Sequence, residues 1–306
     1  MITEENTAWI AVDWGTSNLR IWALDVSGKT IAHRSSDKGM GKLAPQGFEP
    51  ALLELIGDLL ASDGKTPVIV CGMAGSRQGW AEAPYMTVPC APPDIRDATV
   101  VSAGDPRLDA RILPGIKQLH PPDVMRGEET QIAGFLADKP DFTGTLCLPG
   151  THSKWVALLD GRIDRFRTCM TGETFALFAE RSVLRHGLST HEIDGEAFLK
   201  AVSDMDMAPQ SLTAELFGIR AAGLVANLSP EAATGRLSGL LIGAELAAVK
   251  HEFDLTDVAV LGSGRLARAY GTALECLGHK VTLLDAGAIT LKGLALARSS
   301  YSKVSS

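Results

Sequence analysis

The chain lacks paired cysteines, a basic excess and a long apolar run, and each absence removes a class of function. Its five cysteines, at 71, 90, 147, 169 and 276, are odd in number and include no Cys-x-x-Cys pair. Cys71 and Cys147 fall inside apolar strand patterns, where a buried free thiol is the expected state. Reduced thiols, and an acidic start (Met1-Ile2-Thr3-Glu4-Glu5) where a signal peptide would be basic, point to the cytoplasm. A net charge of −7 opposes nucleic acid as a main partner, because phosphate contacts need a basic face. No apolar run reaches the roughly 18 residues of a membrane span, so no membrane partner is expected. Low-complexity tracts and long charge runs are also missing.

What is present is an ordinary globular composition, 45% hydrophobic and 21% charged over 306 residues. That length suits two domains sharing a cleft, or one large α/β unit. The most telling feature is the turn Asp13-Trp14-Gly15-Thr16-Ser17-Asn18 between apolar strands over residues 9–13 and 19–25. A glycine turn at Ser27-Gly28 and a third strand over 30–35 follow it. The pattern returns later: a strand over 145–148, the turn Gly150-Thr151-His152-Ser153, strands over 155–159 and 162–167, and Asp160-Gly161 between those two. Glycine lets the backbone approach an oxyanion, hydroxyls donate to it, and successive N–H groups form an anion-binding nest. Asp13, a carboxylate heading only the first turn, suits a divalent cation held between phosphates. Two such turns suggest two lobes gripping one phosphate chain, and so a kinase. Two unrelated meanders with plain polar turns are the competing reading, and the repeated order weighs against it.

Elsewhere, apolar spacing predicts a helix over 48–61 and a buried strand over 68–71. Residues 84–122 are rich in proline and read as irregular, with a strand over 111–113. A lobe boundary is expected near residue 117, giving lobes 1–117 and 118–306, the last helix packing back on the first lobe. Helices follow over 127–138, 173–184, 195–204, 211–227 and 235–249, and the apolar stretch 211–249 offers a homodimer surface. A strand over 258–261, a helix from Gly264, a strand over 280–284 and a helix over 288–298 close the chain.

The strings VDWGTSNLRIW, GMAGSRQGW, VMRGEETQ, PGTHSKW, FRTCMTGE, SGLLIGAE and LGSGRLA together resemble the 2-dehydro-3-deoxygalactonokinase family. That family lies in the sugar-kinase branch of the actin–hexokinase–heat-shock ATPase superfamily. The resemblance spans nearly the whole chain. It implies an α/β fold of two ribonuclease-H-like lobes (the actin-like ATPase fold), with an interlobe nucleotide cleft. It also implies transfer of the γ-phosphate of ATP, with Mg²⁺, to the 6-hydroxyl of 2-dehydro-3-deoxy-D-galactonate in galactonate breakdown.

Carried over residue by residue, Asp13 organises the metal. Gly15, Thr16, Ser17 and Asn18 approach the terminal phosphates, as do Gly150, Thr151, His152 and Ser153. Lys154 either lends charge or is a solvent-facing strand residue. Gly262, Ser263 and Gly264 belong to the adenosine site. The base falls at the start of the helix before the second turn, where Arg126-Gly127-Glu128-Glu129 stands. Glu128 aligns with the Gly-Asp of the wider carbohydrate-kinase pattern, with glutamate in place of aspartate. Glu129 is then a substrate ligand or the alternative base, and helix charge balancing is the structural alternative for both. A keto-acid needs a cationic partner, and arginine is the bidentate choice. Arg77, Arg126 and Arg167 are candidates, with Ser76, Trp80, Thr171 and Glu173 as further pocket residues.

Gly262-Ser263-Gly264 follows a strand and opens a helix, so it also fits a dinucleotide-binding turn, with Asp285 as the ribose acid. An NAD(P)-dependent oxidoreductase is therefore the alternative. Too few residues follow Asp285 for a doubly wound sheet, and the two Gly-Thr turns would go unexplained.

Overall fold

Trp9, Ile10, Ala11, Val12 and Trp14 are all buried, so their strand, β1 (Trp9–Trp14), is covered on both faces. In the computed structural model, which describes residues 7–189 and 192–299, β1 sits inside a six-stranded sheet. β2 (Leu19–Leu24) and β3 (Thr30–Ser36) follow as an antiparallel meander. Helix α1 (Phe48–Ile56) then leads to β4 (Thr66–Gly72), parallel to β1. β5 (Tyr85–Thr87) leaves for a small second sheet. β6 (Thr99–Val100) and β7 (Leu108–Ile112) complete the first, in the order β3-β2-β1-β4-β7-β6. β8 (Gly115–Leu119) and β9 (Pro122–Met125) join β5, and α2 (Glu128–Leu136) follows.

The pattern then restarts. β10 (Gly144–Leu148), β11 (Ser153–Leu159) and β12 (Arg162–Cys169) lead into helices α3 (Thr171–Arg181), α4 (Gly195–Met207), α5 (Leu212–Val225) and α6 (Pro230–Val249). β13 (Asp257–Gly262), α7 (Gly264–Cys276), β14 (Lys280–Asp285) and α8 (Ala286–Ser299) finish it. The five-stranded sheet of this half runs β12-β11-β10-β13-β14, with β10 antiparallel to β11 and parallel to β13, and β13 parallel to β14. That matches β3-β2-β1-β4-β7 strand for strand. The fold is α/β with the ribonuclease-H-like order occurring twice.

Contacts divide the chain into two units. Unit 1 takes the chain through Phe142, the Leu159–Asp164 tip and the stretch from Ala286 onward, and unit 2 holds Thr143–Leu158 and Arg165–Asp285. The boundary thus follows Phe142 rather than residue 117. Lys117 lies inside β8, paired with Val124 of β9, where a strand pair resists division. Beyond it, α2 packs on α8 so closely that side chains at Gly134 or Gly293 would strike the facing backbone, at Ile289 O and Thr130 O.

In unit 1, Phe48, Leu52 and Ile56 of α1 cover one face of the sheet through Ile10, Val12 and Trp14. Leu294 and Ala297 of α8 cover the other through Trp9, Ala11 and Ile69. In unit 2, α4 and α6 meet along Gly235, Gly239 and Gly243, whose spacing of four puts them on one stripe of α6. A Cβ on Gly239 would lie 2.8 Å from the Ala201 Cβ, and one on Gly243 2.8 Å from the Met205 Cβ.

α6 is the one described helix with the length and apolar character of a membrane span, yet 72% of that window is buried inside the protein. It begins at Pro230, earlier than residue 235, because the Ser229 hydroxyl accepts from Ala232 N–H and proline suits the first helical position. Of the stretch 211–249, α5 rather than α6 is the exposed part, through Phe217, Leu224 and Val225. Residues 88–107 are largely irregular, as expected, and the strand expected over 111–113 is β7, but the sheet β5-β8-β9 was not expected.

Candidate active site

The parallel strands β1 and β4 end side by side, Trp14 opposite Gly72, and the chemistry of unit 1 gathers there. Just past β1, the turn Gly15–Asn18 is closed by Gly15 N–H donating to Asn18 O at 2.8 Å. Met40 and Gly41 brace it, their N–H groups donating to Gly15 O and Thr16 O at 3.0 and 2.9 Å. Thr16, Ser17 and Asn18 remain exposed. Asp13 Oδ2 accepts from Arg20 Nη2 at 2.5 Å.

Past β4, Gly72–Ser76 lies against Arg126–Gly127 at the start of α2. A Cβ on Gly75 would stand 2.7 Å from Arg126 Nη1, and one on Gly127 3.3 Å from Gly72 Cα. Gly127 has φ +110°, a conformation that glycine adopts without strain. Arg126 Nη2 donates to Ala83 O at 2.8 Å, and the guanidinium lies 4.3 Å from the Tyr85 ring centroid. Its Nε and Nη1 are buried with no partner among the described residues, as is Ser76 Oγ. Arg126 is thus a half-buried cation with two buried donors unanswered, and an anion able to reach them would satisfy both.

The two glutamates differ sharply. Glu128 is half-buried, and its Oε2 accepts from Arg126 N–H at 3.0 Å. Glu129 is fully buried, and both its oxygens stand 2.8 Å from Gly127 N–H. Burial, with the charge of Glu128 adding, pushes the Glu129 carboxyl up to about 8. Burial also raises the Cys71 thiol, beside Asp13 and Glu129.

Arg77 is exposed, while Trp80 packs on Trp14 in the core, ring centroids 6.2 Å apart. Arg167 lies in unit 2, where it forms a bidentate pair with Glu252 at 2.7 and 2.8 Å. Thr171 and Glu173 also lie in unit 2, beside the second turn.

That turn, Gly150–Ser153, lies between β10 and β11 as the first lies between β1 and β2. Glu173 N–H donates to Thr151 O at 2.9 Å, and His152 Nε2 pairs with Glu173 Oε2 at 2.5 Å. Gly262 lies against the start of the turn, a Cβ there falling 3.5 Å from Pro149 Cδ. A cavity of about 410 Å³ opens beside it, lined by Gly150, Thr151 and Thr171, by Arg265 and Leu266 just after Gly264, and by Phe175, Glu192 and Leu241 among others. The structure therefore brings the second turn and the first turn of α7 to one hollow.

Ser153 is turned inward. Its hydroxyl lies 2.7 Å from the Tyr270 hydroxyl, which donates to Glu245 Oε2 at 2.8 Å, so the serine proton goes to Tyr270. Lys154 is buried rather than solvent-facing, its Nζ donating to Thr168 Oγ1 at 2.9 Å.

Among the described residues no three His, Cys, Asp or Glu side chains cluster for a metal. Asp13 alone fits magnesium, which needs only one or two carboxylates when substrate phosphates supply other ligands. Sequence reasoning missed Arg20, although a four-residue turn sets position 13 opposite 20. It also missed Glu245, an acid buried within an apolar helix.

The dinucleotide alternative finds no support in this geometry. β13 belongs to a sheet with an antiparallel meander and ends at its neighbour β14, and α8 after it belongs to unit 1.

A probable 2-dehydro-3-deoxygalactonokinase of Rhizobium meliloti (strain 1021) is 41% identical over 298 residues, covering 94% of this chain and 96% of that protein. The 2-dehydro-3-deoxygalactonokinase of Escherichia coli (strain K12) is 36% identical over 280 residues, covering 90% and 91%. A solved Sinorhizobium meliloti structure, to which the same activity is ascribed, superposes with a TM-score of 0.89 at 39% identity, over 96% of this chain and 99% of that one. The family model for 2-keto-3-deoxy-galactonokinase matches residues 13–297, and the chain belongs to that family.

Proposed function

We propose that the chain transfers the γ-phosphate of ATP to the 6-hydroxyl of 2-dehydro-3-deoxy-D-galactonate. One observation carries the reading: Gly15–Asn18 and Gly150–Ser153 occupy the same topological place, between the first strand and its antiparallel neighbour, in two sheets of one order.

In unit 1, Thr16, Ser17 and Asn18 present exposed donors for phosphate oxygens. Asp13 is the residue to hold magnesium, which when bound neutralises phosphate charge. Arg126 receives the sugar-acid carboxylate on its two unanswered nitrogens, with Ser76 Oγ a further unanswered hydroxyl next in sequence to Gly75, which lies against Arg126. Glu128 takes the proton of the attacking hydroxyl. It is the more accessible glutamate, whereas Glu129 spends both oxygens on Gly127 N–H. A carboxylate suffices as base because a loose phosphoryl-transfer transition state needs little proton removal before the new bond forms.

In unit 2, the cavity beside Gly150 and Thr151 takes the nucleotide, with Gly262–Gly264 and the first turn of α7 at the adenosine end. His152, oriented by Glu173, donates to phosphate, and Thr171 belongs to this wall rather than to the sugar-acid pocket. The free thiols of Cys71, Cys90, Cys147 and Cys276 support a cytoplasmic location.

An ADP-release screen over a panel of 2-keto-3-deoxy acids, with the product's phosphate position read by NMR, tests the reading. Turnover fastest with the galactonate derivative, phosphorylated at O6, is expected. ADP release with none of the acids would overturn it.

A further inference from the structure

The carboxylate of Glu245 accepts hydrogen bonds from three elements at once. Trp155 of β11 donates Nε1–H to Oε1 at 2.6 Å, while Thr171 of α3 and Tyr270 of α7 donate hydroxyls to Oε2, the latter at 2.8 Å. Tyr270 in turn accepts from Ser153 in the phosphate turn at 2.7 Å. Trp155, Tyr270 and Ser153 are all fully buried.

We propose that Glu245 is a positioning residue for nucleotide binding, holding the second glycine-threonine turn and the start of α3 in the arrangement that shapes the unit 2 cavity. This rests on the reading that ATP occupies that cavity.

Stability alone does not call for a carboxylate here. An apolar side chain of similar volume would fill the centre of α6 without the desolvation cost of a buried acid. What an apolar side chain cannot do is fix three donors by direction. Thr171 lines the cavity, and Gly172 beside it packs so closely that a Cβ there would strike Gly150 O and lie 2.9 Å from Thr151 Cα. Through Tyr270 the same carboxylate holds Ser153, two residues beyond Thr151. Both ends of the turn's environment are thereby tied to one group, and a shift of either would change where the exposed donors of Thr151 and His152 point. Burial raises the Glu245 carboxyl, opposed by its hydrogen bonds from Thr171, Trp155 and Tyr270.

The test compares Glu245→Gln, Tyr270→Phe and Ser238→Trp, with MgATP affinity read by calorimetry, Michaelis constants for ATP and for the sugar acid measured separately, and folding followed by circular dichroism. Glu245→Gln keeps shape but turns an amide N–H₂ toward donors, so a rise of about tenfold in the MgATP dissociation constant is expected, with the sugar-acid Michaelis constant unchanged. Tyr270→Phe cuts only the Ser153 arm and shifts nucleotide affinity the same way by less. Folded Glu245→Gln with wild-type MgATP affinity overturns the proposal. If Glu245→Gln does not fold, wild-type affinity in Tyr270→Phe overturns it instead. Ser238→Trp fills the cavity wall and should abolish nucleotide binding. Unaltered affinity there refutes the cavity as the ATP site, whereas lost affinity there with none lost in Glu245→Gln refutes only the role of Glu245.

Discussion

Asp13 and Arg20 lie directly opposite each other on β1 and β2, and their side chains form an ion pair 2.5 Å long. Asp13 is 13% exposed and Arg20 37% exposed. Pairs that reach solvent contribute only about 0–1 kcal/mol, so Arg20 gives up its partner readily to a cation arriving with phosphate. Asp13→Asn is therefore expected to lower turnover by about 10²-fold or more while leaving the melting temperature nearly unchanged. Wild-type turnover in that variant, measured by ADP release, would remove Asp13 from the metal.

Arg126 should separate affinity from stability. Arg126→Met is expected to raise the sugar-acid Michaelis constant about tenfold or more, since a charge-assisted bidentate contact is lost. It should change the melting temperature little, because losing the Ala83 hydrogen bond and the Tyr85 ring contact is offset by removing two buried donors that have no hydrogen-bond partner. Arg167→Ala should leave that constant unchanged, its guanidinium being engaged by Glu252. The reverse pattern would move the carboxylate site to unit 2.

Glu129 gives the pH dependence. With its folded value at about 8 against an ordinary 4.5, the folded state holds a proton that the unfolded chain has released across that window. Its contribution to stability is fully present below pH 4.5 and is lost as pH rises through about 8. Glu129→Gln should flatten that decline and be more stable than wild type at pH 9, read from urea midpoints at pH 6 and 9. A wild-type slope in the variant would contradict this assignment.

The bases can be told apart kinetically. Glu128→Gln should nearly abolish transfer, and Glu129→Gln should retain a substantial part of it. Single-turnover assays in which Glu129→Gln is the dead variant would place the base one residue later.

Packing predicts a different class of effect. Gly239→Ala should cost about 1–3 kcal/mol, because its methyl would meet the Ala201 Cβ at 2.8 Å and the Phe198 backbone. Gly223→Ala, in α5 with nothing within 4 Å, should be neutral or stabilising. Equal melting temperatures for the two variants would refute the close α4–α6 contact.

Much of the scaffold was legible because its signals are local. Glycine turns between short alternating strands announce a meander within about 25 residues, and the chain writes that pattern twice. The sheet β5-β8-β9 was not legible, since Pro84, Pro114, Pro121 and Pro122 look like interruptions. They stand just outside or at the first residue of strands, where a missing N–H is tolerated. In the candidate site, the turns and the glutamate pair were readable, but the choice among arginines was not. Arg167 meets Glu252 across 85 residues of sequence, and Glu245 meets Trp155 across 90, distances at which no local pattern informs. The boundary near residue 117 was misplaced for the same reason, since α2 finds its partner in α8.

That partnership governs the order in which the protein can be completed. The unit that a ribosome makes first leaves Trp9, Ala11 and Ile69 only partly covered, by neighbours such as Ile95 and Leu113, until Leu294 and Ala297 have been polymerised, with all of unit 2 synthesised in between. A premature stop after β14 would thus spare the later half of the molecule and cripple the earlier one.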